Sequence, residues 1–148
     1  MPINWAYIDH FEEWEFDDPN YPGSGSLIDG QLLMLLVKIR RELNCPVIPH
    51  GPVGGCVDVD GRWGHAPESY HLKEHGCRAV DFHLVTDLSS REQYYHIARY
   101  GFPGLGVYYD WHWNNKPLPI GFHGDLRPRD RTQRWARING HYLYLLAN

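Results

Sequence analysis

The stretch Arg78-Ala-Val-Asp81-Phe-His-Leu-Val85 alternates in character: Val80, Phe82 and Leu84 point one way, and Ala79, Asp81 and His83 the other. A period of two marks a β-strand with one face buried. Its phase puts a carboxylate and an imidazole on the face that avoids the core. A later stretch, Ile120–Arg127, repeats the pattern, with Ile120, Phe122, Gly124 and Leu126 on one face and Gly121, His123, Asp125 and Arg127 on the other. The fold is therefore predicted to rest on strands whose polar faces carry chemistry.

Upstream, Cys45-Pro-Val-Ile-Pro49 reads as a short strand limited by its prolines, which lack a ladder donor. Residues 50–68 are rich in Gly, Pro and Asp and read as a long loop carrying His50, Cys56, Trp63, His65 and Glu68. Leu32, Leu35, Leu36, Ile39 and Leu43 recur at helical spacing behind a Ser26/Asp29 cap pattern, which predicts a helix from about 27 to 43. Leu33, Met34 and Val37 widen its apolar stripe, as burial against a sheet requires. Ser89 and Glu92 form a capping box that opens a second helix ending near Tyr100-Gly101. Strand signals return at 106–109, and His141-Tyr-Leu-Tyr-Leu-Leu146 suits a terminal strand or a short helix. Turn-rich residues 17–26 set an aromatic, acidic arm, 1–26, apart from the body.

The chain has 148 residues, 43% hydrophobic and 22% charged, which suits one globular domain over 1–148 and excludes collagen-like or wholly disordered chains. Fourteen Lys and Arg against eighteen Asp and Glu give a formal charge of -4, so no nucleic-acid partner is expected. Arg127, Arg129, Arg131, Arg134 and Arg137 make one locally basic segment, read as a solvated face or as a contact for acidic groups. The three cysteines lack a CxxC spacing and are expected to be free. No signal peptide, membrane anchor or long apolar run is recognisable, so synthesis in the cytoplasm and a monomer are expected.

Ten histidines call for a chemical account, because neutral imidazole binds zinc. His71 precedes the first strand, Asp81 lies within it, and His123 lies on the polar face of the later one. If those strands are neighbours, two nitrogens and a carboxylate oxygen converge on a zinc ion with one coordination position open. The alternative is mundane: His71 caps a loop, Asp81 pairs with an arginine and His123 makes one hydrogen bond. Ser69 is expected to support the His71 loop, and His83 to sit beside Asp81 on its face.

The block Ser69-Tyr-His71…Gly76-Cys-Arg-Ala79-Val-Asp81-Phe, then Gly104-Leu-Gly106-Val-Tyr, then Phe122-His123-Gly-Asp125-Leu-Arg127 resembles the zinc D,D-carboxypeptidase/L,D-endopeptidase family, peptidase M15. The likeness is to the phage and bacterial branch named for the subfamily A C-terminal domain, and runs from His10-Phe-Glu-Glu-Trp-Glu-Phe16 to about residue 130. It implies an α+β fold with a central antiparallel sheet and flanking helices, hedgehog/D,D-peptidase-like. It also implies zinc held by His71, Asp81 and His123, hydrolysis of peptide bonds in peptidoglycan stem peptides, and action at the cell wall after release or from a virion.

The chain departs from the family pattern in three places. The His71-to-Asp81 interval is longer than usual, implying an inserted turn around Lys73–His75 and making His75 a competing ligand. Ile120 and Gly121 stand where the family carries its general base, so proton transfer falls to Asp125 or His112, with Asp110 and Glu68 behind them. Asp125 lies about 6.7 Å along its strand from His123, a separation that also suits buttressing a histidine. Pro49-His-Gly-Pro-Val53 replaces a stretch where the family has an arginine, a role open to Arg62. Trp111 and Trp113 are expected to line a substrate groove. The missing base motivates a second reading: a catalytically inactive wall-binding or virion structural protein on the same scaffold.

Overall fold

The structure, a computed structural model, describes residues 2–146. Residues 1, 147 and 148 of the predicted 1–148 domain lie outside the described residues. The fold is mixed α+β. Strands β1 (Val47–Pro49), β2 (Ala79–Leu84), β3 (Gly104–Tyr108), β6 (Gly121–Asp125), β7 (Gln133–Ile138) and β8 (His141–Leu146) form one sheet in the order β1-β2-β6-β3-β7-β8. A separate hairpin pairs β4 (His112–Trp113) with β5 (Lys116–Pro117). Two helices, α1 (Gly30–Leu43) and α2 (Ser90–Ala98), flank the sheet.

Alternation divides this sheet into two unlike faces. Phe82, Phe122, Val107 and Ala136 are successive cross-strand partners, and all are buried in the core that includes Leu32, Leu33, Leu36 and Ile39 of α1 and Ile97 of α2. Each Phe, Val, Leu or Ile among them contributes roughly 1.5–3 kcal/mol by leaving water. The next rung, Asp81, His123, Gly106, Trp135 and Tyr144, lies one residue along each strand and so presents the opposite face. The helices thus cover one face and leave the other to the site.

The antiparallel expectation holds except at β3 and β7, which are parallel. Both Asp125, the last residue of β6, and Gln133, the first of β7, pair with Gly104. The chain therefore reverses within residues 126–132 at one end of the sheet, and β7 runs opposite to β6 along the other edge of β3. Strand β7 was not legible because its apolar positions are interrupted by arginines. Helix α1 begins later than predicted: Asp29, not Ser26, is the cap, accepting from Leu32 N at 3.0 Å. Ser26 is engaged instead by Trp5 and Glu13. Met34 is half exposed, on the outer side of the stripe. The capping box at Ser89 and Glu92 forms as expected, and 141–146 is a strand. The described part of the arm, 2–26, contains short 3-10 turns, and its Phe11 and Phe16 enter the main core.

Candidate metal centre

Strand register decides the first contact of the site. Asp81 and His123 are direct cross-strand partners on the polar face, and Asp81 Oδ1 lies 3.0 Å from His123 Nδ1. His71 arrives from the segment before β2. Its carbonyl accepts from Asp58 N at 3.1 Å, its amide donates to Ser69 Oγ, and the extra residues of the long interval are taken up by a 3-10 turn at Lys73–His75. His71 Nε2 then stands 3.3 Å from His123 Nδ1 and 3.5 Å from Asp81 Oδ1.

Two of those separations, 3.3 and 3.5 Å, suit ligands of one small cation, and the 3.0 Å between Asp81 and His123 is closer, at hydrogen-bond distance. Bonds of 2.0–2.2 Å at tetrahedral angles put neighbouring donor atoms about 3.3–3.6 Å apart. The outer hydrogen bonds fix the rings for the same task. His71 Nδ1 donates to the Cys56 carbonyl at 3.0 Å, so the neutral ring turns an unprotonated Nε2 inward. His123 Nε2 donates to Asp125 Oδ2 at 3.0 Å, which frees Nδ1 in the same way. A cation held here would meet two lone pairs and a carboxylate oxygen; in its place a proton on His123 Nδ1 is donated to Asp81 Oδ1. The donor set fits zinc.

Electrostatics agree with the geometry. Burial works against a charge on His123, but the Asp125 and Asp81 carboxylates outweigh it and raise its pKa to about 9. Burial also opposes ionisation of Asp81, and the His71 and His123 imidazoles overcome it, holding the carboxyl well below its usual range. A place that favours a proton so strongly also favours a divalent cation, which displaces it. Asp125 has room on this face because Gly104 lies beside it: a Cβ there would stand 2.4 Å from Asp125 Oδ2.

The three ligand atoms open into a cavity of about 400 Å³ whose walls include His65, Ser69, Arg127, Trp135 and Tyr144. Ser69 lines this cavity, its Oγ accepting from His71 N at 3.3 Å. His83 is not in this cavity; it turns to His50, with ring nitrogens 2.7 Å apart. His112, Trp111 and Trp113 line a neighbouring cavity of about 260 Å³, so the structure does not bring His112 to the ligand trio. The two cavities meet at Asp81 and Tyr108, whose hydroxyl is 3.4 Å from Asp81 Oδ1. Trp111 packs directly on Gly121, where a Cβ would lie 2.0 Å from its ring. A position open to a base in the sequence is thus filled by tryptophan. His75 donates to the Pro67 carbonyl and stands apart from the ligands, Asp110 is clamped by Arg137 and Gly140 N, and Arg62 pairs with Asp60 away from the cavity.

The residue that sequence reasoning missed is His65. Its ring stacks on His71 at 4.3 Å between centroids, and its Nδ1 is 2.8 Å from Oδ2 of the fully buried Asp58. Asp58 therefore orients an imidazole whose Nε2 has no partner among the described residues and is not sealed from solvent. No periodicity links Asp58 to His65; both sit in a Gly-rich loop, and only its folded path joins them. Asp18, Asp58 and Asp60 form a further acidic group, but Val59 N, Gly61 N, Trp63 Nε1, His65 Nδ1 and Tyr21 OH already serve it. All three cysteines are buried and free.

No protein-family model, curated protein or solved structure matches this chain.

Proposed function

We propose that the protein is a zinc metallopeptidase that hydrolyses peptide bonds in peptidoglycan stem peptides, on a hedgehog/D,D-peptidase-like scaffold. The convergence of His71 Nε2, Asp81 Oδ1 and His123 Nδ1 at 3.0–3.5 Å from one another, beside an open cavity, carries the reading. The choice of substrate is supported by the resemblance of the His71…Asp81 and His123-Gly-Asp125-Leu-Arg127 motifs to peptidase M15.

A bound zinc supplies Lewis-acid polarisation of the scissile carbonyl and lowers the pKa of water toward 7. The chain's own groups do the rest. Cys56 O and Asp125 hold the two ligand rings in orientation. His65 Nε2, steadied through Nδ1 by Asp58, accepts the proton of the attacking water and returns it to the leaving amine. Burial and the neighbouring His71 lower its pKa, partly offset by Asp58, so the ring is neutral and ready to accept near pH 7. The Tyr108 hydroxyl donates to Asp81 Oδ1 at 3.4 Å and so helps to place the carboxylate ligand.

The test is metal analysis together with cleavage of purified muropeptides. About one zinc per chain, and cleavage abolished by chelator or by His123→Ala, are expected. Zinc retained with every stem-peptide linkage left intact would overturn the enzyme. That outcome would favour the second reading, an inactive wall-binding or virion structural protein, which Gly121 and its covering Trp111 support.

A further inference from the structure

We infer that Arg127, assisted by Arg129, forms a carboxylate-binding subsite beside the metal centre, so that the substrate is a peptide presenting a free carboxylate next to the bond that is cut. The inference deepens the peptidase reading and rests on it for the identity of the ligand as a peptide.

Four arginines outside this cavity are paired with carboxylates, while Arg40, Arg91, Arg99 and Arg131 have no carboxylate partner among the described residues and do not line it. Arg137 is held by Asp110 through both Nε and Nη2, Arg62 pairs with Asp60, Arg78 with Asp29, and Arg41 with Asp9. Arg134, whose partners are the Phe102 and Gln133 carbonyls, lies off this cavity. Arg127 differs. It lines the cavity of the ligand trio, and its Nη2 donates to the Glu68 carbonyl while its guanidinium lies 4.5 Å over the Tyr70 ring. Neither partner carries a negative charge. The Arg127 backbone N–H donates to Asp125 Oδ1 at 3.1 Å, which ties the residue to the carboxylate that orients His123.

Arg129 enters the same cavity and has only a share of Asp125, with Nη2 3.4 Å from an oxygen already accepting from His123. Both Nε atoms are buried with no hydrogen-bond partner, so neither guanidinium is fully satisfied by the protein. In each, Nη1 has no protein partner among the described residues and is not sealed from solvent. A planar fork with an open edge and an unanswered charge suits a carboxylate, which accepts two parallel N–H bonds. The carboxylate has two possible sources, the chain end of the peptide or an acidic side chain, and the two are separable.

Calorimetry on the full chain, first with chelator and then zinc-loaded, uses a short peptide with one acidic side chain and a free C-terminus. Two companions carry an amide at one position or the other. The acid should bind the chelated protein at least about tenfold tighter than one of its amides, and that amide names the source. Arg127→Gln should abolish the difference, Arg127→Lys should keep part of it, and Arg129→Gln should weaken it severalfold. Equal binding of acid and both amides, or an Arg127→Gln loss shared equally by all three peptides, would overturn the subsite. Because the chelated measurement needs neither zinc nor hydrolysis, a protein that binds no zinc or cuts no peptide brings down the proposed function and leaves this comparison intact.

Discussion

Two pairs of histidines meet on this domain, and their surroundings give them opposite character. His71 and His123 share Asp81, with Asp125 behind, and the carboxylates raise the pKa of His123 to about 9. His50 and His83 touch each other at 2.7 Å, but stacked Trp111 and tilted Trp113 surround them. Burial lowers each of this pair to about 4, with His83 adding to the effect on His50 and Asp81 offsetting part of it. Identical side chains thus make a candidate cation site where carboxylates converge and an aromatic wall where they do not. The neighbours, rather than the imidazoles, assign the role.

The sharpest way to break that contrast is to exchange the outcomes. His123→Ala or Asp81→Asn should take zinc from about one per chain to none by metal analysis, whereas the H50F/H83F double variant, which replaces both partners of one bond with apolar rings, should keep it. Loss of zinc from the double variant would merge the two pairs into one site.

His65→Gln tests whether a third imidazole, with its own carboxylate, belongs with the first pair. Cleavage should fall by about 10²–10⁴ in kcat with zinc content unchanged. An unaltered kcat would return His65 to a packing role.

The outer carboxylate is the next lever. Asp125→Asn should weaken zinc binding about 10–100-fold. Gly104→Ala should act in the same direction by driving a methyl group into Asp125, as read by competition with a chromogenic chelator. Zinc affinity unchanged in both would mean that Asp125 does not orient His123.

Acid stability sharpens the comparison from the other side. The His50 and His83 pKa values are lower in the folded than in the unfolded chain, where histidine titrates near 6.5. Their contribution is therefore full above about pH 6.5 and is lost as pH falls toward about 4, because the unfolded chain takes up protons first. Denaturation midpoints of the metal-free protein should decline across that window, and the H50F/H83F variant should decline less steeply. The smallest effect is expected at Gly121→Ala, about 1–3 kcal/mol from displacing Trp111, with zinc retained.

Much of this was legible in the residues. The phase of 78–85 and of 120–127 put Asp81, His123 and Asp125 on one face, and the capping box at Ser89 was visible as such. Other features were not. Arginines hid the strand alternation of β7, and Met34 looked like core because helical periodicity alone does not say how wide a stripe the neighbours will cover. His83 shares a strand face with Asp81, yet its ring answers His50, which a long loop delivers. The pairing of Asp58 with His65, and the stacking of His65 on His71, depend on that same loop.

The sequence by itself determined which side chains avoid the core, because strand alternation is a local property that any buried face enforces. Only the tertiary structure decided which of those side chains meet. The register of β2 on β6 joins Asp81 to His123, the turn at Lys73–His75 returns His71 to them, and residues 126–132 reverse the chain so that β7 brings Trp135 alongside. Contacts between distant segments follow from closure of the whole chain around its core, and no short window of residues contains that information.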